Sequence, residues 1–123
     1  MKFVQFAAIL AILLLTSVTA VLAQAGDPVK GKAVFASKDC LRCHALDATP
    51  GKAGPSMAGV TKARQKSWLT KFIKDPTKMG SDPIVKELKR KYPVGMPATG
   101  LTDAEVADVI AYLDTLNAKA PGK

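Results

Sequence analysis

Two cysteines spaced two residues apart and followed at once by the chain's one histidine, Cys40-Leu41-Arg42-Cys43-His44, constrain this sequence more than any other feature. Thiols at that spacing suit the two vinyl groups along one edge of a porphyrin. A histidine directly beside the second thiol then turns its imidazole to the iron from one face. The pattern is that of covalent haem attachment. Competing readings fit less well. Zinc needs four protein ligands, or three and a water, and His44 is awkwardly placed beside Cys43 to chelate the same ion tetrahedrally. A thioredoxin-like dithiol needs a strand-to-helix setting, and nothing around Cys40 reads as a strand. A disulfide between the two would close too short a loop to stabilise the chain much.

Composition enters through its unevenness. The 123 residues are 48% hydrophobic, but the surplus is concentrated in MKFVQFAAILAILLLTSVTAVLA, residues 1–23. That segment has one charge, Lys2, an apolar run from Phe6 to Leu15, and small residues at its end. It reads as a secretory leader with cleavage after Ala23 or Ala25, leaving a domain over 24–123. The alternative is a retained membrane anchor, since residues 6–23 approach the shortest stretch that spans a bilayer. Either way the body is exported, to a periplasm or beyond. The remainder has ordinary composition, which excludes a disordered, collagen-like, disulfide-dense or multi-span protein and a multidomain enzyme.

The body reads as helices, with no strand and no repeat. Asp27-Pro28 supplies an N-cap and first helical residue, followed by Val29, Ala33 and Ala36 at helical spacing, with Gly31 and Phe35 on a neighbouring face. Residues 47–60, rich in Gly, Pro and Ala, read as loop. Ser67 is placed to cap a helix whose apolar stripe is Trp68, Leu69, Phe72 and Ile73, ending at Asp75-Pro76. Asp82-Pro83 starts another, with Ile84, Val85 and Leu88 inside, Lys86, Lys89, Arg90 and Lys91 outside, and Tyr92-Pro93 as its close. The last helix carries a capping box, Thr102 with Glu105, and a hydrophobic staple, Leu101 with Val106. Val106, Val109, Ile110, Leu113 and Leu116 line its inner side.

These stretches together resemble a small soluble class I monohaem cytochrome c along nearly the whole body. The matching residues are Gly31-Lys32-Ala33-Val34-Phe35, Cys40 to His44, Gly54-Pro55, Met96-Pro97 and Leu101 to Leu116. The resemblance implies an all-α cytochrome c fold, three to five short helices wrapped around one covalently bound haem c. It also implies that the first and last helices cross, with Gly31 and Phe35 against the Tyr112-Leu113 region. Cys40 and Cys43 would carry the thioethers and His44 the iron. The Pro55 carbonyl would accept the His44 Nδ1–H, although by itself Gly54-Pro55 is also a plain turn.

The sixth ligand is a choice among methionines, since thioether sulfur suits haem iron and a second histidine does not exist in the chain. Met57 follows Pro55 closely and belongs on the wrong face, in the core. Met79 sits in a polar run that suggests exposure. Met96, stiffened by Pro97 and followed by a well-capped helix, is the expected ligand and matches the family position. An open sixth site would instead admit peroxide or a gas. Trp68, like Arg64 or Tyr92, has a donor for a haem propionate, with core packing beside Phe72 as its plain alternative.

Charge bears on partners. Residues 52–91 contain 11 Lys and Arg against 3 acidic residues, whereas residues 92–123 are net acidic. A positive face of this kind steers a protein onto an acidic redox partner, or simply keeps it soluble. No motif or aromatic interleaving points to nucleic acid. The expectation is an exported, monomeric one-electron carrier, not an enzyme. Alternatives are a haem subunit of a larger oxidoreductase or a gas-binding or peroxidatic haem protein.

Overall fold

Asp27 accepts the backbone N–H groups of Val29 and Lys30, and Pro28 has no N–H to leave unpaired, so helix α1 (Pro28–Ser37) begins at the predicted residue. The structure is a computed structural model that describes residues 25–49 and 52–120. The leader read over 1–23 lies outside them. Four further α-helices follow: α2 (Val60–Ala63), α3 (Lys66–Lys74), α4 (Pro83–Lys91) and α5 (Asp103–Thr115). Short 3-10 turns occupy Cys40–Arg42, Pro76–Met79 and Leu116–Lys119. The described residues contain no strand, and none of their helices is long and apolar enough to cross a membrane.

The crossing of α1 and α5 is the main packing event. Gly31 is buried in α1, and a Cβ there would lie 1.9 Å from the Asp108 carbonyl oxygen and 2.9 Å from the Tyr112 Cβ. Only glycine lets the two backbones approach so closely. One turn on, Phe35 meets Tyr112 edge-on at 5.7 Å. The Asp27 backbone N–H also donates to Asp108 at 2.7 Å, tying the start of α1 to α5.

This crossing places Gly31 and Phe35 against Tyr112, as the family resemblance implied. Val29, Ala33 and Ala36 share a helical stripe, yet Val29 is 78% exposed and both alanines face outward. The buried face is Gly31 and Phe35, because close backbone contact with α5 outweighs the small apolar area of the alanines. One correction concerns α3, which is preceded by Gln65 as N-cap; Ser67 lies inside its first turn. The four residues of α2 were not anticipated, being too few for a periodic signal.

α5 follows its sequence pattern closely. Thr102 and Glu105 form the reciprocal capping box, and Leu101 and Val106 of the staple are both buried. Val106, Val109, Ile110, Leu113 and Leu116 join Phe35, Leu69, Ile73 and Met57 in one core. α4 differs. It is capped by Asp82 and closed at Tyr92 as expected, but only Val85 in it is fully buried, and Lys86, Lys89, Arg90 and Lys91 are all exposed.

Candidate functional site

The chain leaves α1 through Asp39, which adopts the left-handed conformation (φ 56°) that Asp tolerates better than most residues. The Cys40–Arg42 turn follows and is closed by the Cys43 and His44 N–H groups, both donating to the Cys40 carbonyl. Cys40 and Cys43 are half-buried free thiols. Burial pushes the Cys40 thiol above its ordinary pKa; a backbone hydrogen bond opposes this, and the neighbouring Asp39 and Cys43 reinforce it.

His44 is held by a segment returning alongside it. Gly54 N–H donates to the Cys43 carbonyl (2.9 Å) and Met57 N–H to the Ala45 carbonyl (2.8 Å). These two bonds bring the Pro55 carbonyl oxygen to 2.8 Å from His44 Nδ1. A carbonyl can only accept, so Nδ1 carries a proton, and in the neutral ring this tautomer leaves the lone pair on Nε2. Gly54 permits the approach, because a Cβ there would come within 2.8 Å of His44 Cε1. A shallow recess of about 470 Å³ opens beside the ring, with Leu41, Leu46 and Lys52 in its walls.

The three methionines have different settings. Met57 is buried in the core. Met79 is half-buried, not exposed as its polar neighbours suggested, since its segment folds into the Pro76–Met79 turn. Met96 is half-buried in the loop between α4 and α5 and does not belong to the core. That loop is fastened by Gly95 N–H to the Tyr92 carbonyl (3.1 Å) and by Thr99 Oγ1 to the Ile73 carbonyl (2.8 Å). Sequence reading did not single out Thr99; its hydroxyl was one among many.

Trp68 stacks on Phe72 at 4.8 Å, and its indole N–H donates to Asp82 Oδ2 at 3.1 Å. The donor considered for a haem propionate is therefore engaged by a carboxylate of this chain. Burial raises the Asp82 pKa, but the Trp68 indole and the N–H groups of Val85 and Ile84 together hold it below the usual carboxylate range.

Two half-buried free thiols, a histidine whose Nδ1 is engaged by a backbone carbonyl and a helical wrapper are a donor set that fits haem c. The fold and site thus define a small all-α haem-binding domain. The cytochrome c family profile matches residues 28–117. Cytochrome c 2.1 of Caenorhabditis elegans is 34% identical over 107 residues, covering 78% of this chain and 95% of the relative. Among solved structures, a cytochrome c from Rhodothermus marinus superimposes with a TM-score of 0.65 at 28% identity, covering 79% of this chain and 78% of that one. The cytochrome c domain of the pp3183 protein from Pseudomonas putida gives 0.64 at 34% identity, covering 72% and 89%. The chain belongs to the cytochrome c family. Members bind one covalently attached haem c and carry electrons between redox proteins.

Proposed function

We propose that this protein is an exported one-electron carrier, matured by attachment of haem through Cys40 and Cys43 and ligated by His44 and Met96. The observation that carries the reading is the 2.8 Å contact between His44 Nδ1 and the Pro55 carbonyl. It orients the ring, leaves Nε2 for the metal and raises the basicity of the imidazole. The bound group supplies a one-electron iron couple, whose potential follows from its axial ligands, hydrogen bonds and exposure.

The residues have separate tasks. The thioethers from Cys40 and Cys43 keep the group on the chain outside the cell. Met96 would offer a soft thioether ligand and leave no coordination position for a substrate. With both ligands drawn from the chain, the group would need little rearrangement to supply one-electron chemistry. Export rests on the leader in residues 1–23, and a monomer is the expected state.

The basic face of α4 is the proposed docking surface for an acidic redox partner. Lys86, Lys89 and Lys91 are exposed, and Arg90 pairs with Glu87. Such a face speeds encounter in a salt-dependent way. Replacing Lys86, Lys89, Arg90 and Lys91 with Gln should flatten the salt dependence of reduction by an acidic partner. An unchanged slope removes α4 from the docking surface.

The ligand assignment is tested by absorption. Oxidised protein should show the weak far-red sulfur-to-iron band, and Met96→Ala should abolish it. Wild-type protein without the band, or one that binds carbon monoxide readily when reduced, would overturn the His44/Met96 carrier. A haem stain on the denatured chain and an alkaline pyridine spectrum test the covalent attachment first.

A further inference from the structure

Helix α4 and the loop carrying Met96 form one stretch, residues 82–99, and both of its ends are fastened to α3. At the first end, Asp82 Oδ2 accepts from Trp68 Nε1 at 3.1 Å, in the first turn of α3. The same carboxylate caps α4 through Oδ1, which accepts Ile84 N–H at 2.8 Å and Val85 N–H at 3.3 Å. At the other end, Thr99 Oγ1 donates to the carbonyl of Ile73 at 2.8 Å. That carbonyl lies in the last turn of α3, where backbone acceptors have no partner within the helix. Thr99 Oγ1 also accepts from Leu101 N–H at 3.3 Å. Between these points only Val85 is fully buried. The stretch has little core of its own, so its position depends heavily on the two attachments.

We propose that Asp82 and Thr99 are positioning residues for Met96, fastening the two ends of its segment to α3. The inference rests on the reading of Met96 as iron ligand. Each attachment restricts the segment to arrangements in which the thioether is presented, so removing one enlarges the population in which it is withdrawn. An outside ligand competing for the same coordination position then binds more tightly, because less of its affinity is spent displacing Met96.

The experiment is an imidazole titration of the oxidised, haem-loaded full chain, followed by loss of the far-red band. Thr99→Val removes the hydroxyl and nearly keeps the shape. It should tighten imidazole binding about fivefold, the scale of one net hydrogen bond. Thr99→Ser, which keeps the hydroxyl, should restore wild-type affinity. Asp82→Asn keeps an oxygen for the α4 cap but loses the charged acceptor for the indole, and should tighten binding by a similar factor. Trp68→Phe should match it, and the pair combined should add little further. Thr61→Val removes a hydrogen bond to Asn117 outside the segment and should leave the affinity unchanged.

The failures are distinguishable. A wild type with no far-red band removes the Met96 reading, and this inference with it. A band in the wild type with unchanged imidazole affinity in Thr99→Val and Asp82→Asn overturns the positioning role alone. An equal shift in Thr61→Val also overturns it, since general loosening would then suffice. An effect of Trp68→Phe that neither Asp82→Asn nor Thr99→Val reproduces would assign Trp68 to the haem directly and leave Asp82 and Thr99 without the role.

Discussion

His44 and Met96 sit on two arms of different construction. The His44 arm is short and locally closed. Its ring is adjacent to Cys43 in sequence, and a returning segment holds it by two backbone hydrogen bonds and the Pro55 contact. The Met96 arm spans residues 82–99, and the methionine is half-buried near its exposed end. Gly95 and Gly100 flank Met96 at φ +69° and +67°, with nothing within 4 Å of where their Cβ atoms would be. One arm is fixed by neighbours in the chain, the other by hydrogen bonds to a distant helix. Under the proposed ligation, the first kind suits a ligand that stays and the second one that competitors displace.

Both arms spring from the same base. α1 leads directly into Cys40, and α5 begins directly after the Met96 loop, so their crossing fixes the two arms relative to each other. The largest expected effect is therefore at Gly31, where a side chain would collide with the Asp108 backbone. Gly31→Val should cost about 3 kcal/mol or more in denaturant unfolding. The far-red band and the helical signal should disappear together. Separate transitions would show that the arms do not share this base.

Gly54→Ala strikes the His44 arm alone and should cost about 1–3 kcal/mol by overpacking. Moving Pro55 off the ring makes the imidazole a weaker base, which stabilises ferric iron less, so the reduction potential should rise while the far-red band persists. Loss of the band with no change in potential would reverse the roles assigned to the arms.

Acid separates the arms further. The Asp75 carboxyl is held low by the Thr77 hydroxyl and by Lys78, Asp82 as described above, and Glu105 by the backbone and hydroxyl of Thr102. Asp82 alone among them lies in the Met96 arm and fastens it to α3; Asp75 caps the turn before the arm, Glu105 the start of α5, and Asp114 in α5 is held low by Lys66 and Thr61. A carboxyl whose pKa is depressed by folding contributes stability that is complete above its unfolded value. That contribution is lost as pH falls through the lower folded value. Acid titration below the ordinary carboxylate range should thus remove the far-red band before far-UV helicity declines. Asp82→Asn should weaken the pH dependence of band loss. Coincident loss of band and helicity would argue against an arm that loosens on its own.

The smallest effect belongs to exposed ion pairs. Lys66 bonds Asp114 at 2.5 Å, with the lysine side chain 62% exposed. Lys66→Gln should change stability by less than about 1 kcal/mol and leave both arms unaltered. A larger loss in thermal unfolding would mean that the α3–α5 contact needs this pair.

The local signals and the distant ones differ in how far they could be read. Asp27-Pro28, Asp82-Pro83 and Thr102 with Glu105 mark helix starts because a cap is made within three or four residues, whatever the rest of the chain does. The inner side of α5 was legible for the same reason, as a pattern repeated along one helix. The inner face of α1 followed from the family resemblance and not from its own periodicity, since Gly31 matters only through the α5 backbone that meets it. Ser67 is a good capping residue in isolation, yet the chain enters α3 two residues earlier.

In the site, Cys40, Cys43 and His44 announce haem attachment by spacing alone, because the porphyrin edge sets that spacing. The Pro55 contact followed from resemblance and not from the residues themselves. Which donor Asp82 engages and which carbonyl Thr99 reaches were decided by folding, across 14 and 26 positions of sequence. The sequence by itself determined the cofactor class, the starts of α1, α4 and α5 and the all-helical class, all of which depend on bonds within a few residues. Only the tertiary structure decided where α3 begins, where the Trp68 indole donates and how the Met96 segment is held. A hydrogen bond or close contact across many residues exists only once the intervening helices have packed.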